Sequence, residues 1–119
     1  MQVLGVVWVG TRTTEYAATV AFFKDVLGLA EESSETDFAV LTVPDGSTVE
    51  VFGPTSRFNE HLTHPVAGFQ VADIHEAVEE LEAAGIEIVL PLDGGSTRSW
   101  VHFRAPDGFV YELVEVRSA

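Results

Sequence analysis

The sequence predicts an α+β fold of two βαβββ modules in tandem, and three observations carry that prediction. The turn Pro44-Asp45-Gly46 returns 62 residues later as Pro106-Asp107-Gly108. Two other pairs, Glu50 with Glu112 and Phe38 with Trp100, keep the same 62-residue offset. Each copy also opens with an apolar run followed by an amphipathic helix that ends at a glycine, Gly28 in the first and Gly85 in the second. These glycines are 57 residues apart, so the second copy has the longer excursion after its helix. A chain of 119 residues with 46% hydrophobic and 21% charged residues suits one globular domain with a core of its own. Its parts are module one at about 1–54, a linker at 55–64 and module two at about 65–119.

Each element has its own signal. Val3 to Val9 is apolar and β-branched and reads as a buried strand. Thr13 or Thr14 can cap a helix over 15–27, in which Tyr16, Val20, Phe23 and Leu27 recur at helical spacing. Residues 31–37 are polar and acidic and read as loop. Phe38–Val43 and Thr48–Phe52 are strands about the Pro-Asp-Gly turn. Residues 53–64, rich in Gly, Pro, Ser and Asn, form the linker region. In the second copy Val66–Val71 is a strand. Asp73 caps a helix, with Glu76 three residues on, and Ile74, Ala77, Val78 and Leu81 make its buried stripe. Strands follow at Ile86–Leu90, Trp100–Arg104 and Phe109–Val116. Residues 94–98 read as a mobile loop in which Arg98 can touch a ligand, since no helix follows to give a phosphate nest.

Composition removes several functions. Six basic residues against 19 acidic ones give a formal net charge of −13, which repels phosphate backbones and argues against nucleic acid. The chain has no cysteine, which excludes disulfides, thiolate metal sites and cysteine nucleophiles. No apolar run reaches the roughly 18 residues of a membrane span. The N-terminus has no basic segment before an apolar one. A cytoplasmic protein without membrane contact is expected. No serine sits in a nucleophile-elbow pattern.

The segment Phe22-Phe23-Lys24-Asp25-Val26-Leu27-Gly28-Leu29 resembles the FYRDVLGL signature of the vicinal oxygen chelate superfamily, which holds glyoxalase I, bleomycin-resistance proteins and extradiol dioxygenases. Phe69-Gln70-Val71-Ala72-Asp73-Ile74 resembles the opening of that family's second module. Arg104-Ala105-Pro106-Asp107-Gly108-Phe109-Val110-Tyr111-Glu112-Leu113 resembles its closing strand pair. The resemblance implies a cupped mixed sheet with helices on the convex side, a small-molecule cavity on the concave side and a homodimer. In metal-dependent members it implies a ligand from the first and last strand of each module. The last-strand slots hold Glu50 and Glu112. The first-strand slots hold Trp8 and Val66, which cannot bind a metal. The expectation is therefore no cofactor. A divalent metal would need Glu50, Glu112 and His64, with His64 leaning in from two residues before Val66. The competing reading of His64 is an exposed linker histidine.

Trp100, His102 and Arg104 alternate along one strand and share a face. On a concave face they offer stacking, a proton shuttle and an anion clamp; the alternative is a solvent or interface stripe. Glu50 and Glu112 are general-base candidates if buried, and rim carboxylates if not. With Glu50, Glu112 and His102 as candidate catalytic groups, Trp8, Phe38, Phe52, Trp100 and Arg104 are the candidate ligand-binding residues. The first expectation is a glyoxalase/bleomycin-resistance-like protein binding a small organic ligand, for which the acidity suits a cationic or aromatic compound. The second is a lyase, isomerase or dioxygenase acting on a carbonyl or vicinal-oxygen substrate.

Overall fold

The computed structural model describes residues 1–117, so the last two residues of module two, 118 and 119, lie outside the described residues. The chain forms two compact units, one of Val7–Val66 and the other of Met1–Val6 with the chain from Ala67 onward. Its elements are β1 (Val3–Arg12), α1 (Tyr16–Ala21), β2 (Ala30–Glu35), β3 (Phe38–Thr42), β4 (Thr48–Phe52), β5 (Val66–Val71), α2 (Ile74–Ala83), β6 (Glu87–Gly94), β7 (Arg98–Arg104) and β8 (Val110–Val116). The strands run β2-β3-β4-β1 in the first unit and β5-β8-β7-β6 in the second. In both, the first and last strands pair in parallel and the rest are antiparallel. This is the α+β duplication that the 62-residue register predicts.

Four predicted elements differ. The first strand is not buried along its length and runs on to Arg12: Val3, Leu4 and Val6 are exposed, and full burial begins only at Trp8. Residues 31–37 are not loop, because Ala30–Glu35 pairs with β3 through its backbone. All six of its residues are exposed, so it has no buried face to impose alternation, and its glutamates guard an open sheet edge. The first helix is shorter than 15–27: α-helix covers Tyr16–Ala21, and Phe22–Val26 forms a π-helical turn in which Leu27 N–H donates to Phe22 O. Its cap position is Glu15 rather than a threonine. Thr13 N–H is held by Phe52 O in the sheet, and its hydroxyl accepts from Glu15 N–H. Finally, β6 runs to Gly94 and β7 begins at Arg98, so the loop expected at 94–98 narrows to three residues. Arg117 fastens it, donating to the carbonyls of Gly95 and Ser96.

Other signals are met. Gly28 and Gly85 have φ of +76° and +77°, the left-handed cap conformation that ends each helix. Asp73 accepts from His75 N–H and Glu76 N–H, and Glu115 accepts from Ile74 N–H, so the first turn of α2 is satisfied. The second unit buries Ile74, Ala77 and Leu81 of α2 against Val71, Val101 and Leu113. Each fully buried aliphatic side chain of this kind contributes about 1.5–3 kcal/mol. That packing fixes which face of the sheet carries the helix and leaves the opposite face for other work.

Candidate functional site

Strand alternation sorts the second unit's side chains. Val101 and Leu113 point at α2, and Glu115 caps it, so Trp100, His102, Glu112 and Val114 occupy the helix-free face. His102 and Glu112 sit directly opposite one another on β7 and β8. His102 is fully buried and Glu112 is 5% exposed, and His102 Nε2 lies 2.9 Å from Glu112 Oε1. Burial pulls the imidazole down to about 4 and pushes the carboxyl up to about 8, with the Arg98 charge opposing the second effect. Near pH 7 the pair therefore holds a single exchangeable proton and no charge. Glu112 is the acid, donating to an unprotonated Nε2, because an ion pair at this depth costs more in desolvation than it recovers.

The first unit keeps the geometry but not the chemistry. Glu50 stands opposite Val40 where Glu112 stands opposite His102. Glu50 is half-buried, and Phe38 and Phe52 share its face. Trp8 is 4% exposed and its indole lies over Gly10, where an added Cβ would clash with the ring. Trp8 and Phe52 form one apolar cluster with Leu62 and Val66, and Phe38 packs against it. Phe38 stacks on Phe52 at 5.0 Å and meets Phe58 at 5.7 Å. Arg12 holds the covering loop by donating to the carbonyls of Pro54, Ser56 and Phe58.

A family model, the Glyoxalase/Bleomycin resistance protein/Dioxygenase superfamily, matches residues 5–113. The chain belongs to that superfamily. Similar solved structures include a superfamily member from Vibrio splendidus 12B01, 24% identical with a TM-score of 0.69, covering 96% of this chain and 99% of that one. Methylmalonyl-CoA epimerase from Mycobacterium tuberculosis is 20% identical with a TM-score of 0.69, covering 98% of this chain and 90% of that one. A Mn(II)-bound glyoxalase from Novosphingobium aromaticivorans is 17% identical with a TM-score of 0.77, and the match covers 99% of this chain but 42% of that one. A search of curated proteins finds no match. At these identities the likeness establishes the fold.

The metal-dependent arrangement of this superfamily can be tested on the residues present. Trp8 and Val66 fill the two first-strand slots and are packed into apolar core. Glu112 is engaged with His102 and held as the acid. His64 is half-buried just before β5, with Nδ1 3.2 Å from Thr63 Oγ1. Among the described residues no group of three or more His, Cys, Asp or Glu side chains is placed to hold a metal ion. This donor set does not fit the superfamily's metal centre.

Of the predicted site residues, the structure joins His102 to Glu112 and sets Trp100 on their face. Arg104 stands at the exposed end of the same strand, donating to Gly108 O and pairing with Glu87. Trp8, Phe38, Glu50 and Phe52 are gathered in the first unit. The His102–Glu112 pairing was open to sequence reasoning: a hairpin about Asp107 makes 102 and 112 cross-strand partners. Two further residues gave less signal. Arg98 opens β7 instead of lying in the loop its glycine-rich surroundings predict, and the fully buried Leu62 sits inside a polar linker.

Proposed function

We propose that this protein binds a small organic ligand on the helix-free face of its second module, without a resident transition metal, as a cytoplasmic homodimer. The observation that carries the reading is the buried His102–Glu112 pair, whose desolvation is a cost a purely structural strand pair would avoid by using apolar residues. Trp100 beside it supplies a stacking wall. The exposed apolar side chains of Val3, Leu4 and Val6 on β1, and of Phe22, Val26 and Leu27 after α1, support a second copy. The absence of cysteine from the sequence accords with a reducing compartment.

Thermal-shift screening of a chemically diverse fragment library, followed by titration of the hits, tests this reading. Hits should bind wild type and lose affinity in Glu112→Gln and Trp100→Ala. Hits unaffected by Glu112→Gln, Glu50→Gln and Trp100→Ala alike would move the site elsewhere.

A second reading rests on the protonation of Glu112. A carboxyl held up to about 8 is an acid of useful strength at neutral pH. The protein would then be an isomerase or lyase for a carbonyl compound, with Glu112 giving its proton to the carbonyl oxygen while water takes the proton of the adjacent carbon, and with Glu50 offering a separate carboxyl group in the first unit. Deuterium exchange at a carbon next to the carbonyl of a bound ligand, abolished by Glu112→Gln, is the result this reading requires.

A further inference from the structure

The chain has six cationic side chains among 19 acidic ones, and their partners single one out. Arg12 is spent on three loop carbonyls, and Lys24 pairs with Glu31. Arg57 lies 5.4 Å from the centre of the Phe58 ring. Arg104 pairs with Glu87, and Arg117 with Glu115. Among the described residues, Arg98 alone has a guanidinium with no hydrogen bond, ion pair or ring contact. In a chain of net charge −13 a cation without a carboxylate is an unusual thing to keep half-buried.

Arg98 opens β7, and the unbroken register from Arg98 to Arg104 puts it on the face of Trp100 and His102. Its charge is felt at Glu112. Across the hairpin Asp93 stands opposite Trp100, and one of its carboxylate oxygens accepts from Gly94 N–H at 2.8 Å. Successive same-face positions on a strand are roughly 7 Å apart. The face thus presents, in order, a cation, an aromatic plane and a buried hydrogen-bonding pair. Arg117 fixes the start of this row, since its guanidinium holds the Gly95 and Ser96 carbonyls and the Ser99 hydroxyl on either side of Arg98.

We propose that the ligand of this face is a small carboxylate with a flat unsaturated body and a second oxygen at its far end. The carboxylate sits on Arg98, the flat body on Trp100 and the far oxygen against the His102–Glu112 pair. The inference rests on the reading that this face binds a small molecule and adds the charge and shape of that molecule. The neutrality of the buried pair near pH 7 supports it, because no fixed anion on the pair then opposes an incoming one. The chain's overall acidity favours cations by net charge alone, whereas this row of side chains favours an anion.

The test uses 4-hydroxybenzoate, its neutral analogue 4-hydroxybenzamide and its cationic analogue 4-hydroxybenzylamine, titrated into the full chain by ligand-observed NMR. The acid should bind at least tenfold more tightly than the amide, and the amine weakest of the three. Arg98→Gln should weaken the acid at least tenfold and bring it level with the amide. Trp100→Leu should weaken both. Equal binding of acid and amide, preference for the amine, or an acid affinity unchanged in Arg98→Gln would overturn the proposal. An amide or amine that binds equally well and is lost in Trp100→Leu would overturn the anion alone and leave the face as a ligand site. If none of the three binds at millimolar concentration, the proposal falls, while the broader reading is still decided by the fragment screen.

Discussion

Replacing Glu112 by glutamine should change how stability depends on pH, because the carboxyl and its histidine hold one proton where the unfolded chain holds a different number. In the folded protein the pair keeps a single proton from about pH 4 to about pH 8. Unfolded, with ordinary values of 4.5 and 6.5, it keeps two protons below 4.5, one between 4.5 and 6.5, and none above. Between 4.5 and 6.5 folded and unfolded states bind equal numbers, so the pair adds no slope. From 6.5 to 8 the folded state binds one more proton than the unfolded, so stability falls with rising pH, by about 2 kcal/mol in all. In Glu112→Gln that decline disappears. The buried His102 remains, with its folded value below the unfolded one, so the variant gains about 3 kcal/mol as pH rises from 4 to 6.5 and is level above. Urea unfolding followed by far-UV circular dichroism at half-unit steps from pH 4.5 to 8.5 measures both curves. Subtracting the variant's curve from the wild-type curve cancels the remaining histidines and surface carboxylates. A difference curve that is flat from 6.5 to 8, or one that rises, would refute the assignment of a protonated Glu112.

Three further outcomes follow from the packing. Leu62→Ala removes a fully buried side chain from the Trp8 cluster and should cost about 2–4 kcal/mol in urea unfolding, an unusual penalty for a linker position. Gly10→Ala sets a methyl group against the Trp8 indole and should cost about 1–3 kcal/mol, with a shift in tryptophan emission; unchanged emission and stability would mean that the ring does not lie over the strand. Asp73→Ala removes the acceptor for two N–H groups of α2 and should cost about 1 kcal/mol, read as a lower unfolding midpoint with an unchanged m-value.

The sequence carried the fold through repetition, and it carried least where burial and pattern part company. The Pro-Asp-Gly turns and the helix-ending glycines are local backbone demands, so they were legible residue by residue. The strand Ala30–Glu35 was not, because its membership in the sheet comes entirely from backbone pairing with β3 and leaves no trace in side-chain alternation. The site divides in the same way. Parity and register placed Trp100, His102 and Glu112 on one face, since strand geometry is periodic. The freedom of Arg98 depends on where five other cations spend their charge, and the burial of Leu62 on how a loop closes over Trp8. Those are properties of the assembled chain, and no local window contains them.

The division of β1 between the two units bears on the order in which the chain can fold. Its residues from Val7 onward belong with the first unit, and Val3–Val6 belong with the second. The parallel pairing of Trp8 with Thr48 closes a loop of about forty residues, and that of Gly68 with Glu112 a similar one, so neither is fast compared with the hairpins β3–β4 and β7–β8. During synthesis the first unit has all its strands once β4 emerges, yet the first six residues must wait for the chain beyond Ala67. The apolar Val3, Leu4 and Val6 are thus the earliest segment made and among the last to find a place. Because these side chains stay about half exposed even in the folded chain, a nascent chain stalled between the two units adds an unplaced strand segment to an apolar surface that is already open, and that intermediate is where aggregation would begin.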